Sequence, residues 1–140
     1  MSWLPWALLS AFFAGVTAIL AKVGVDGVDS NLATAIRTTV ILGFTWLLFW
    51  LLAPARSFSS LTSRNWSFLV LSGIATGLSW VCYFRALQLG PASKVAPIDK
   101  LSVVFVIVFA VFFLHEKGGW HTWLGGLLIV AGAALLTLPG

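Results

Sequence analysis

Apolar residues run along this chain in blocks long enough to cross a bilayer, separated by short clusters of Gly, Pro, Asn and charged residues. A membrane-crossing helix needs about 20 mostly apolar residues, and five segments approach that length. The first runs from about Trp3 to Val23 and stops at Gly24-Val25-Asp26-Gly27. The second starts after a cap at Ser30 or Asn31 and ends before Pro54, because Ser and Asn side chains satisfy first-turn N–H groups and proline cannot continue a helix. A polar connection from Ala55 to Asn65 leads to the third, Trp66 to Leu89, which Gly90-Pro91 breaks. The fourth covers about Ser93 to Leu114, and after His115-Glu116-Lys117-Gly118-Gly119 the fifth covers Trp120 to Leu138. The pattern predicts an all-α fold: a polytopic transmembrane helical bundle of five helices, one domain over residues 1–140, with antiparallel neighbours because every connection is short.

Composition agrees with lipid as the solvent. Hydrophobic residues make up 60% of the chain and charged residues 9%, a balance that leaves too little polar surface to cover a water-soluble domain. The bilayer is therefore the first partner the sequence demands. Net charge is +4, but the eight Lys and Arg are scattered singly, so no basic face exists to hold nucleic acid phosphates. No basic residue precedes Lys22, so the first span is expected to stay in the mature protein and not to act as a cleaved signal. Cys82 lies within an apolar run and is expected to be a small packing residue, since a lone cysteine has no intrachain disulfide partner. Seven of the eight Trp residues, at 3, 6, 46, 50, 66, 120 and 123, fall near span ends, where an amphipathic ring sits at headgroup depth. Trp80 is the exception, near the middle of the third span.

Orientation is only weakly specified. Arg56, Arg64 and Lys117 fall on the N-terminal side, Lys22 and Lys94 on the other. The count favours a cytoplasmic N-terminus by a narrow margin, and dual insertion stays open. An odd number of spans means that a second unit joined head to tail would be inverted, and a single unit reaches that geometry only as an antiparallel dimer.

Five ionisable residues lie inside the apolar spans: Lys22, Arg37, Arg85, Asp99 and Lys100. At about 1.5 Å per residue they fall roughly 3 to 10 Å below one membrane face, the face opposite the N-terminus. Two readings are open. In one, Lys22 and Arg37 reach up to headgroups and Asp99 pairs with Arg85 or Arg37 to fix helix register. In the other, four cations against one carboxylate leave a positive field suited to a small-molecule solute carrying a carboxylate or phosphate. Adjacent helical positions diverge by about 100°, so Asp99 and Lys100 are expected to point apart, one paired internally and the other toward the solute path.

Pro97 precedes that pair. It costs little if the fourth helix begins near Ser93, and frees a carbonyl if the helix begins earlier, which makes it a candidate hinge. Gly73 and Gly77, four apart, allow close helix approach, and the same stripe continues to Trp80 and Phe84. Trp80 and Tyr83 are candidates for an aromatic wall against an organic solute, with core packing as the alternative. His115 and His121 have no Cys or carboxylate set at metal-ligand spacing, and no nucleophile or phosphate-loop motif occurs. The sequence thus points away from an enzyme and calls for no metal or cofactor.

At Tyr83-Phe84-Arg85-Ala86-Leu87, at Pro91-Ala92-Ser93-Lys94-Val95-Ala96-Pro97-Ile98-Asp99-Lys100-Leu101 and at Leu114-His115-Glu116-Lys117, the chain resembles the EamA branch of the drug/metabolite transporter superfamily. The usual member has two five-helix repeats, so the resemblance implies half of a ten-helix inverted-repeat transporter. It further implies export or exchange of amino acids or other small metabolites in the inner membrane of a bacterium or archaeon; the leading reading adds, from the inversion argument, alternating access in an antiparallel homodimer. The segment Gly125 to Gly132 is similar to the last helix of small multidrug resistance transporters, whose glycines seven apart form a dimer seam. That likeness makes Gly125 and Gly132 candidates for a homodimer interface. The coupling carboxylate of that family has no counterpart in the first span here, which leaves Asp99 as the membrane carboxylate available for proton coupling. Two further readings stay open: a membrane subunit that does not itself transport, and a flippase for a lipid or lipid-linked carrier, which the positive layer would also suit.

Overall fold

The computed structural model describes residues 3–52 and 61–138. Pro54, Arg56 and the start of the polar connection expected from Ala55 lie outside the described residues. The elements are α1 (Leu4–Gly24), α2 (Ser30–Leu52), α3 (Ser63–Leu89), α4 (Ala92–Asp99), α5 (Ser102–Phe113) and α6 (Trp120–Thr137), with no strand among the described residues. Five helical stretches among those residues are long and apolar enough to cross a membrane, α4 and α5 together making one of them, Ala92–Phe113. At most 11% of the most apolar window of any span is buried inside the chain, so nearly all of the apolar surface faces outward, as lipid requires.

Local chemistry sets the helix ends. Asp29, and not Ser30 or Asn31, caps α2: its Oδ1 accepts from the backbone N–H groups of Asn31 at 2.9 Å and Leu32 at 3.0 Å. The carboxylate outcompetes its neighbours because it reaches two otherwise unpaired donors and carries negative charge at the positive end of the helix. Thr62 caps α3 in the same way, accepting from the Asn65 N–H at 3.2 Å, so α3 begins at Ser63, three residues before the expected Trp66. Along α2, Thr34, Thr38, Thr39 and Thr45 each donate to the carbonyl four residues back, at 2.7 to 3.0 Å. This satisfies their hydroxyls within the helix, where no water is at hand.

The fourth span departs from expectation by breaking. Helix α4 begins at Ala92, which places Pro97 beyond the first turn, where the missing N–H leaves the Ser93 carbonyl without its helical donor. The chain then tightens: Leu101 N–H returns to the Ile98 carbonyl at 3.0 Å, Val103 to Lys100 at 3.0 Å and Val104 to Leu101 at 2.9 Å. These three-residue turns separate α4 from α5 while Lys100 and Leu101 keep right-handed helical dihedrals, so the span continues across the break.

The chain divides into two compact units, Ala21–Gln88 and Met1–Leu20 with Leu89–Gly140. In the first, Val25 and Leu87 are fully buried and Phe84 nearly so. Gly27 closes the α1–α2 turn with φ +69°, a left-handed conformation that a side chain disfavours. In the second unit, α6 packs on α4 and α5 through Gly126 and Ala133, both buried. A Cβ on Gly126 would stand 3.3 Å from Ile107 Cδ1. Lys94 on α4 donates from Nζ to the carbonyls of Thr137 at 3.3 Å and Leu138 at 3.2 Å, so a cation caps the negative end of α6. Lys94→Met keeps the length and removes the charge. It is expected to lower stability by about 1 to 2 kcal/mol, read as a lower thermal unfolding midpoint in detergent.

Two packing expectations fail. Gly73 and Gly77 have nothing within 4 Å of where a side chain would begin, so no helix among the described residues approaches closely at that pair. Cys82 is exposed and does not serve as an internal packing residue.

Candidate functional site

In the unit formed by Ala21–Gln88, α2 presents Arg37 to two rings of α3. The guanidinium carbon lies 4.5 Å from the centroid of Trp80 and 5.4 Å from that of Phe84. Trp80 and Phe84 are four residues apart, so they stack on one face of the helix and flank the same cation. Phe84 is buried, whereas Trp80 and Arg37 are half-buried. A lone arginine at a span's centre costs about 3 kcal/mol on insertion scales, Arg37 lies off the centre and costs less, and each ring face returns roughly 1 kcal/mol. The two effects nearly balance, which explains how an arginine is held there. Tyr83 is half-buried beside them, its ring 6.4 Å from Phe84 in edge contact.

The other cations of this unit are engaged differently. Lys22 Nζ donates to the carbonyl of Leu87, one of the last α3 carbonyls, which have no helical donor. Arg85 is exposed and donates from Nη1 to Gln88 Oε1 at 3.0 Å, and Gln88 Nε2 donates to the carbonyl of Val28. This chain of bonds ties the end of α3 to the α1–α2 connection. Beside it lies an open cavity of about 450 Å³, lined by Lys22, Val23, Val25, Asp26, Gly27 and Gln88, a volume in the range of small-ligand sites.

In the other unit, Asp99 pairs with its own neighbour: Lys100 Nζ is 3.4 Å from Asp99 Oδ2. The expectation that the two side chains diverge counted the angle at the backbone. The four-carbon stem of Lys100 folds back along the chain and brings its ammonium to the neighbouring carboxylate. Both side chains are substantially exposed, 58% for Lys100 and 37% for Asp99. The depth shared by the five charges thus resolves into separate arrangements, and only Arg37 and Trp80 among the candidates are joined as an aromatic-lined cation site. Gly125 and Gly132 on α6 have nothing within 4 Å of their missing side chains. They lie about 100° around the helix from Gly126 and Ala133, the stripe the chain uses for its own packing.

Sequence reasoning missed two contributors. Gln88 joins Arg85 to Val28, and its signal was an amide three residues after an arginine at a span end. Phe84 completes the clasp on Arg37, and its signal was the four-residue spacing from Trp80.

Five apolar spans, a cation held against two rings and a broken fourth span mark a polytopic membrane protein. The chain belongs to the EamA-like transporter family, which it matches over residues 1–138. It is 52% identical over 137 residues to the transporter in the cobO 3′ region of Sinorhizobium sp., covering 98% of this chain and 97% of that one. It is 29% identical over 133 residues to the transporter YxxF of Bacillus subtilis, covering 93% of this chain but 40% of that protein. Over 68 residues, 49% of this chain and 60% of the relative, it is 34% identical to the probable 4-amino-4-deoxy-L-arabinose-phosphoundecaprenol flippase subunit ArnE of Aeromonas salmonicida. No solved structure matches.

Proposed function

We propose that this protein is a secondary transporter that exports or exchanges a small metabolite, such as an amino acid, across the inner membrane. It works as an antiparallel homodimer by alternating access, without cofactor or catalytic chemistry. The observation that carries this reading is the size of the unit. The chain is one five-span unit matching a Sinorhizobium relative almost end to end, yet it covers 40% of the Bacillus subtilis member, which has room for two such units. Five spans put the ends of one unit on opposite membrane faces, so two units in one chain are mutually inverted, and two separate copies reach that arrangement by inserting both ways. The room beside Gly125 and the exposed Gly132 supply a place for the second copy to approach closely. Residues 1–140 act as a single transmembrane domain, with Arg37, Trp80, Tyr83 and Arg85 on the solute path and Asp99 with Lys100 as the pair that opens and closes beside the Pro97 hinge.

The experiment has two parts. Reporters active only inside or only outside the cell, fused at the C-terminus, are expected to give comparable signals; a single strong signal overturns dual insertion. Purified protein in liposomes is expected to take up labelled amino acid, and Asp99→Asn is expected to slow uptake at least tenfold with folding yield unchanged. Unchanged uptake by that variant removes Asp99 from the mechanism.

A second reading has one specific support, the similarity to ArnE, whose name describes a flippase subunit for a lipid-linked sugar. In that reading the cations attract a phosphate headgroup and the protein works with a different membrane partner. Lipid scrambling in the same vesicles, without solute uptake, selects it.

A further inference from the structure

We infer that Arg37 is the anion-recognition residue of this protein, and that the molecule it takes carries a carboxylate or phosphate on an organic body that lies against Trp80. The inference rests on the transport reading for its physiological meaning, but its evidence is the pattern of partners around the cations. Lys22 is committed to the Leu87 carbonyl and Arg85 to Gln88, and both bonds hold the end of α3 in place. In the other unit, Lys94 caps the end of α6 and Lys100 faces Asp99. Arg37 differs in kind. Its contacts among the described residues are the ring faces of Trp80 and Phe84, with Tyr83 close enough to act on its charge, and none of these is a hydrogen bond to its five N–H donors. No carboxylate among the described residues pairs with it, since the one ion pair found there joins Asp99 and Lys100. A guanidinium anchored through aromatic faces keeps a planar fork of donors, and that fork matches the two oxygens of a carboxylate or phosphate.

Trp80 serves two ends in this arrangement. It holds Arg37 at 4.5 Å, and being half-buried it keeps part of its ring open to an apolar or aromatic portion of the ligand. Depth matters as well. Arg37 stands seven residues into α2, about 10 Å along the helix from its start, so an anion reaching it leaves bulk water behind and gains more from a charged partner than it would at the surface.

The same anionic chemistry has two sources, a water-soluble metabolite or a lipid phosphate, and the test separates them. The full chain is purified in uncharged detergent, and its thermal unfolding midpoint is followed against benzoate, phenyl phosphate, neutral benzamide and dodecyl phosphate. Stabilisation by benzoate or phenyl phosphate but not by benzamide is expected and identifies a soluble anion; stabilisation by dodecyl phosphate alone identifies a lipid phosphate. Arg37→Gln is expected to weaken the apparent affinity by tenfold or more, and Arg37→Lys, which keeps charge but not the fork, by about tenfold. Equal stabilisation by benzamide, no stabilisation by any probe, or a folded Arg37→Gln protein with wild-type affinity overturns the inference. If Arg37→Gln does not fold, unchanged affinity in Arg37→Lys overturns it instead. Failure of the transport reading looks different: probes bind through Arg37 while liposomes take up no solute. Uptake confined to neutral or cationic solutes and unaffected by Arg37→Gln sinks the inference and leaves transport standing.

Discussion

Replacing Gly126 with leucine is expected to prevent folding of the protomer, while the same replacement at Gly125 or Gly132 is expected to leave the protomer folded and abolish self-association. A Cβ at Gly126 already meets Ile107 Cδ1 at 3.3 Å, and a leucine adds three more carbons that must push α5 and α6 apart. Overpacking of this kind costs about 3 kcal/mol. In a membrane the loss is not recovered by hydrophobic collapse, because lipid tails are as apolar as the displaced side chains. Gly132 is exposed and Gly125 half-buried, and neither has an atom within 4 Å of where a side chain would begin, so a leucine there starts with room that Gly126 lacks. Size-exclusion profiles and cross-linking in detergent read both outcomes. Folded, fully dimeric Gly125→Leu and Gly132→Leu proteins would remove these glycines from the dimer seam.

The second large effect is expected at Phe84→Ala, with a loss of about 3 kcal/mol. Phe84 is 3% exposed, and truncating it opens a void whose lining loses dispersion contacts outright. The value sits at the low end of the range for aromatic truncation because transfer from water contributes little to helix association in lipid. The substitution also strips one ring from Arg37, leaving Trp80 to hold the cation. Trp80→Phe retains a ring face and is expected to cost less than about 1 kcal/mol. Unfolding measured by steric trapping in bilayers separates the two variants. Equal stability of Phe84→Ala and the wild type would mean that the clasp around Arg37 adds nothing to the fold.

All five spans were legible from apolar run lengths, because a bilayer tolerates little else. Helix ends were legible to within about three residues, and both shifts have local causes. Asp29 took the cap expected at Ser30 or Asn31, and Thr62 with Asn65 started α3 inside a stretch read as connection. The break in the fourth span was legible in part. Pro97 falls past the first turn whether the helix starts at Ala92 or at Ser93, so the lost bond to the Ser93 carbonyl fits the hinge expected there, while the tightened turns after it have no signal in the residue types. Depth predicted that Lys22, Arg37, Arg85, Asp99 and Lys100 share a level, but depth along an axis carries no information about angle around it. Partners such as Gln88 for Arg85, the Leu87 carbonyl for Lys22 and the Trp80 ring for Arg37 depend on that angle. The pairing of Asp99 with Lys100 escaped because divergence of adjacent positions was counted at the backbone, while the long lysine stem lets its ammonium reach the neighbouring carboxylate.

After its first residue, α5 carries no polar side chain at all. Lipid therefore exerts no torque on it: every angular setting about its axis presents the same hydrocarbon to the bilayer. The setting observed is fixed by packing: the tightened turns at Lys100 and Leu101, Ile107 resting on Gly126, and Val111 lying against Gly118. Because packing and not the bilayer sets the angle, a roll of α5 about its own axis exposes no polar side chain to lipid, and its cost is the loss of the Ile107 and Val111 contacts.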